Sequence, residues 1–160
     1  MTDAAKIRIM LAVIAALLLI IAGMAYKFIV VGSTELADGG RLAIKLAPSE
    51  RALVLREMRE FVSGLQAIAD ALSREDMKAV AKASRALGSA RAHDVPAALM
   101  GKLPLEFKTL ARGVHGEFDT IAMDAEAIGM PKHTLAQLSS ALQKCAACHA
   151  SFQFADAPPR

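Results

Sequence analysis

The chain opens on an apolar run. Ile9 to Tyr26 carries no charge, Lys27 interrupts the run, and Phe28-Ile29-Val30-Val31 continues it. A helix needs roughly 20 residues to cross about 30 Å of hydrocarbon, so residues 1–31 are expected to form a cytoplasmic tip and a transmembrane anchor. Lys27 lies near one end, from which its ammonium reaches the headgroups, and Tyr26 and Phe28 suit that interface. A cleaved signal peptide has a shorter apolar core, about 7–15 residues, followed by a small-x-small site. Gly23-Met24-Ala25 is a poor version of that site, so the anchor is expected to persist. Lys6 and Arg8 precede the span and hold the N-terminus in the cytoplasm.

Residues 32–47 are polar, include Gly39-Gly40, and read as a linker with a short helical piece at Leu42–Leu46. Four helical patterns follow. Pro48-Ser49-Glu50 opens the first, by a proline and an acid in the first turn. Leu55, Met58, Val62, Leu65, Ala69 and Leu72 then recur at alternating spacings of three and four, a stripe that faces a core. Ser73-Arg74-Glu75-Asp76 resembles a capping box, with Met77, Val80, Ser84 and Leu87 as the second stripe and Gly88 as its stop. Residues 89–102 are expected to connect, with one short turn. A third helix begins near Pro104, with Phe107, Leu110, Val114, Phe118, Ile121, Ala125 and Ile128 facing inward, and Gly129 and Pro131 end it. Its Gly113 and Gly116 either weaken the helix locally, by roughly 1 kcal/mol each relative to Ala, or allow the close approach of another helix or of a cofactor. The fourth begins about Thr134, with Leu135, Leu138, Leu142, Cys145, His149 and Phe152 in line. Short connections between amphipathic helices imply an antiparallel four-helix bundle over 48–153, followed by an irregular tail, 154–160.

Composition agrees with an all-α fold. Of 160 residues 54% are hydrophobic, but only one is Tyr, six are Phe and none is Trp. Lys6, Arg8 and Lys27 against Asp3 give the anchor segment +2 of the chain's +3 net charge. No basic cluster stands out in the remainder, so nucleic acid is not an expected partner.

The chemistry lies in Cys145-Ala146-Ala147-Cys148-His149, which matches the attachment pattern for haem c. Residues three apart share a helix face, so both thiols reach one porphyrin edge to form thioethers. His149 then brings an imidazole nitrogen to the iron as proximal ligand. A thioredoxin-like CxxC would need a βαβ context, and a zinc site would need two further ligands. Haem attachment of this kind takes place outside the cytoplasm, which agrees with the topology above. No nucleophile–base pair or phosphate loop is evident, so the chain is not expected to be an enzyme.

A haem motif on the last helix of four resembles the cytochrome c′ and cytochrome c-556 family over about residues 48–153, without the anchor. The most specific part is Cys-x-x-Cys-His-x-x-Phe, here Cys145, Cys148, His149 and Phe152, where Gln153 stands in place of the family's usual Arg. The resemblance implies that Phe152 packs near the haem edge. It also implies an arginine on the first helix near the propionates, with the residue facing the distal side of the iron four positions later. Arg51 plus four gives Leu55, the open-site choice; Met58, a thioether on the same stripe, is the favoured distal ligand. Family members are often homodimers.

The expectation is thus a single-pass protein of a bacterial inner membrane with a periplasmic haem domain. It would carry electrons to or from a respiratory or photosynthetic complex. A five-coordinate gas binder for NO or CO, or an accessory subunit whose haem is structural, are the alternatives. Arg56 and Arg59 could also neutralise propionates but default to surface charge, as Lys144 does. His115 is expected at the surface or behind the site, His133 near the fourth helix's N-cap, and His93 in a loop.

Overall fold

The computed structural model describes residues 2–157, and the side chains of all of these except 92–94. The chain is mostly helical with one small sheet. α1 (Asp3–Tyr26) runs without a break into a π-helical turn, Lys27–Val31. Together they make a rod of 29 residues with mean hydropathy 2.7 over its most apolar stretch, and nothing in that stretch is buried. At 1.5 Å per residue the rod is about 43 Å long, long and apolar enough to cross a membrane.

The segment expected as a linker is structured. β1 (Thr34–Leu36) pairs antiparallel with β2 (Leu42–Leu46), and β2 pairs in parallel with β3 (Phe152–Asp156). The helical piece expected at Leu42–Leu46 is therefore a strand, and the tail expected to be irregular supplies the third strand. The alternation of Leu42, Ile44 and Leu46 is the physical reason: a period of two puts them on one face, and Ile44 and Leu46 are fully buried. The tail carries no comparable signal. Its pairing joins residues more than a hundred positions apart in sequence. Residues 158–160, the end of that tail, and Met1 lie outside the described residues.

α2 (Pro48–Ser73) starts at the expected proline. The Ala47 N–H donates to Glu50 Oε2 (2.7 Å), and Lys102 Nζ reaches both oxygens of that carboxylate at 2.6 Å. α3 (Met77–Arg85) is capped by Asp76, which accepts from the Ala79 N–H at 3.0 Å. Ser73 does not cap it. α2 continues through Ser73, whose hydroxyl donates back to the Asp70 carbonyl. A 3-10 turn (Ser89–Asp94) and α4 (Ala97–Met100) make the connection; the His93 side chain, expected in this loop, lies outside the described residues. α5 (Leu105–Ala127) follows Pro104, and Gly129 at φ +65° lets the chain turn into α6 (Pro131–Ser151). α6 begins three residues before the expected Thr134, because Pro131 takes the first helical position.

Two cores result. The first joins Ile68 and Ala71 of α2, Val80 and Ala81 of α3, Val114, Phe118 and Ile121 of α5, and Leu138 and Ala141 of α6. The second joins Ile44 and Leu46 of β2 to Leu99, Leu103 and Phe152, with Leu53, Val54, Phe107, Leu110 and Cys148 packed against it. Along α2 and α5 the chain passes from second core to first, and along α6 from first to second. α6 therefore runs opposite to α2 and α5.

Ile44→Ala is expected to lower unfolding free energy by about 2–5 kcal/mol, the usual cost of emptying a core site; a linker residue would give close to zero in a urea titration. The Ser89 N–H donates to Asp119 Oδ2 (2.9 Å), and this bond holds the Asp119 carboxyl below its ordinary pKa. A depressed folded pKa stabilises the fold fully above about pH 4, the unfolded value, and the contribution is lost as pH falls through the lower folded value. Asp119→Asn should therefore reduce the fall in urea midpoint over that acid range, while an unchanged fall would contradict the assignment.

Candidate functional site

The buried line of α6 is Thr134, Leu138 and Ala141, then the half-buried Cys145 and Cys148, then buried Phe152. It shares Leu138, Cys145 and Phe152 with the line read in the sequence and departs from it at the alternate positions. Leu135 is 59% exposed, Leu142 43%, and His149 is exposed. The cause is α5: His133 Nε2–H and Gln137 Nε2–H donate to Asp124 Oδ2 at 2.9 and 2.7 Å, and Lys144 pairs with Glu117. These contacts fix which flank of α6 meets α5, and Leu135, Leu142 and His149 lie on the other.

Both cysteines are free thiols, Cys145 packed against the first core and Cys148 against the second. Burial pushes both thiol pKa values up, helped by Glu117 at Cys145, and by Cys145 and then Glu106 at Cys148. The motif thus spans the boundary between the cores, with the imidazole turned outward.

α2 has a matching free flank. Glu57 and Glu60 reach Arg91, and a Cβ on Gly64 would come within 2.6 Å of Leu87. That side of α2 therefore meets the 3-10 turn and the end of α3. Arg51, Leu55, Met58 and Val62, spaced four, three and four, fall on the other side by helical rotation. Leu55 and Met58 are half-buried and belong to neither core, and Val62 is 67% exposed. Packing runs α2 to α3, α3 to α5 and α5 to α6, with no extensive contact between α6 and α2. Two apolar flanks are left over on the two helices that end this series.

Phe152 is buried in the second core, edge-on to Phe107 at 5.5 Å. Arg51, Arg56 and Arg59 are exposed, and Arg56 pairs with Glu60. His115 is not at the surface. It is 8% exposed, its Nδ1–H donates to the Leu87 carbonyl at 2.7 Å, and its ring lies 5.2 Å from that of Phe61. The reason is that α5 turns both Val114 and its neighbour inward. His133 sits in the first turn of α6, on Asp124. A Cβ on Gly116 would meet nothing, and one on Gly113 would approach only Lys144 Nζ. Among the described residues no helix crosses closely at either glycine.

No family model matches this chain, and no curated protein or solved structure matches it either. Among the described residues no three His, Cys, Asp or Glu side chains gather as a metal site. The donor set instead suits a haem. Two thiols three residues apart stand half-exposed, an imidazole beside them has no hydrogen-bond partner among the described residues, and apolar surface on α2 and α6 lacks a cover.

Val62→Ser and Leu142→Ser are expected to leave the stability of the unliganded chain within about 0.5 kcal/mol, as for solvent-facing positions. A loss near 2 kcal/mol in a urea titration would mean that α2 and α6 already pack on each other.

Proposed function

We propose that this chain is a membrane-tethered mono-haem c-type cytochrome that carries electrons between membrane-associated redox complexes. In this reading the helical domain is an antiparallel four-helix bundle of the cytochrome c′ and c-556 type, on the periplasmic side of a bacterial inner membrane. One observation carries it: Cys145 and Cys148 lie half-exposed in line on α6 with His149 turned out beside them, on the flank facing away from α5. The uncovered apolar flank of α2 supports it further.

Haem c, when bound, supplies a one-electron ferric–ferrous couple. Cys145 and Cys148 would hold it covalently, and His149 would be its proximal ligand. Met58, the thioether on the free flank of α2, would be the second protein ligand to the iron, and Met/His ligation would raise the potential. Leu55, Val62 and Leu142 would exclude water. Arg51, exposed one turn before Leu55 on the same flank, would offer its guanidinium to the propionates. Leu55 supports a second reading, in which an apolar residue crowds an open distal site and admits small gases.

The two readings part on one spectrum. With Met58 as ligand, the reduced protein is low-spin and binds CO poorly, and Met58→Ala makes it high-spin and CO-binding. A spectrum that Met58→Ala leaves unchanged removes Met58 from the site and favours the open one.

A further inference from the structure

We infer that the end of the domain carrying Cys148 and His149 rests against the bilayer, in an orientation fixed by the chain's own anchor. The inference rests on α1 crossing a membrane, as proposed above, and adds to it the lipid surface as a partner of a particular face.

The anchor is fastened to the domain at four points. Gly32 lies at φ +68° and presses so closely on Lys102, Leu103 and Pro104 that a Cβ would overlap the Lys102 carbonyl. The Ser33 N–H donates to that carbonyl at 2.7 Å. Lys108 Nζ donates to the Phe28 and Ile29 carbonyls, both at 3.2 Å. A helix end leaves such carbonyls unpaired, and a cation there meets the negative end of the helix dipole. The Phe28 ring sits 3.5 Å from where a Gly101 Cβ would lie.

This seat fixes which end of the domain faces the lipid. The rod packs no buried residue against the domain, so the domain stands on the rod's end rather than along its side. Leu103, in the seat, belongs to the second core with Phe152, and Cys148 packs on that core. The opposite end, with the α2–α3 and α5–α6 turns, lies one α5 length away, about 35 Å for 23 residues. The seated face also exposes apolar side chains, with Glu106, Thr34 and Thr109 among them. Leu36 is 77% exposed and Leu105 45%. An open groove of about 610 Å³, lined in part by Val30, Val31, Leu42, Leu105 and Leu110, joins the anchor to the domain. Leu42 is the β-partner of Leu36, so this apolar surface is continuous from the end of the rod to the hairpin.

The test uses the full-length holoprotein in phosphatidylcholine vesicles, with nitroxides at Leu36→Cys, Leu105→Cys, Glu75→Cys and Lys132→Cys, the native thiols being consumed by haem. Labels at 36 and 105 should collide preferentially with lipid-dissolved oxygen, and labels at 75 and 132 with an aqueous nickel chelate. Gly32→Val should abolish the lipid exposure at 36 and 105 while the haem content stays the same; should that variant not fold, Lys108→Met should weaken it. Aqueous behaviour at all four sites, lipid exposure at 75 or 132, or a pattern untouched by both variants overturns the inference. A chain that carries no haem sinks the proposed function instead, and the same labels on Cys145→Ser/Cys148→Ser protein still read the orientation. A chain that does not stay with the vesicles removes the anchor on which both rest.

Discussion

Helical rotation at the end of α6 is the constraint on which the rest depends. Three residues return a side chain almost to the same face, whereas one residue turns it by about 100°. Cys145 and Cys148 share the line that α5 pulls into the core, and His149, one residue past Cys148 and four past Cys145, stands exposed at the outer edge of that line. The motif presents two half-covered sulfurs and one uncovered imidazole along the edge of a packed face. A flat apolar group attached at that edge would cover the flank of α6 and could meet the flank of α2 that carries Leu55, Met58 and Val62.

The sheet and the anchor serve the same end of the molecule. β2 places Ile44 and Leu46 beneath Phe152, and β3 continues directly from α6, so the last turn of that helix is held on both sides. The polar connection that would have let the domain swing is consumed in this sheet, and Gly32 and Lys108 join it to the rod. Restriction to a membrane raises the local concentration of any partner in the same bilayer. A fixed seat adds orientation to proximity.

Much of this was legible in the residues, for reasons that can be named. The long helices followed from three- and four-residue spacing, and Pro48 and Pro104 marked two starts closely because proline suits a helix entrance. The Cys-x-x-Cys-His motif is local and could be read directly. The facing of α6 was misread at alternate positions because Leu135, Leu142 and His149 also recur at helical spacing; the hydrogen bonds to Asp124 and the Lys144–Glu117 pair decided between two overlapping periodic lines. β2 was visible in the alternation of Leu42, Ile44 and Leu46, but its short length and the neighbouring glycines favoured a linker. β3 depends on a partner strand far off in sequence, and no local pattern reports that.

The account rests on covalent haem at two cysteines. Intact-mass spectrometry of the chain, made together with a haem-maturation system and extracted in mild detergent, tests this most directly. The expected result is a single species heavier than the polypeptide by one haem, reduced to the bare mass when Cys145 and Cys148 are both replaced by alanine. A bare polypeptide mass from the unaltered sequence, under conditions that mature a control cytochrome, would contradict it.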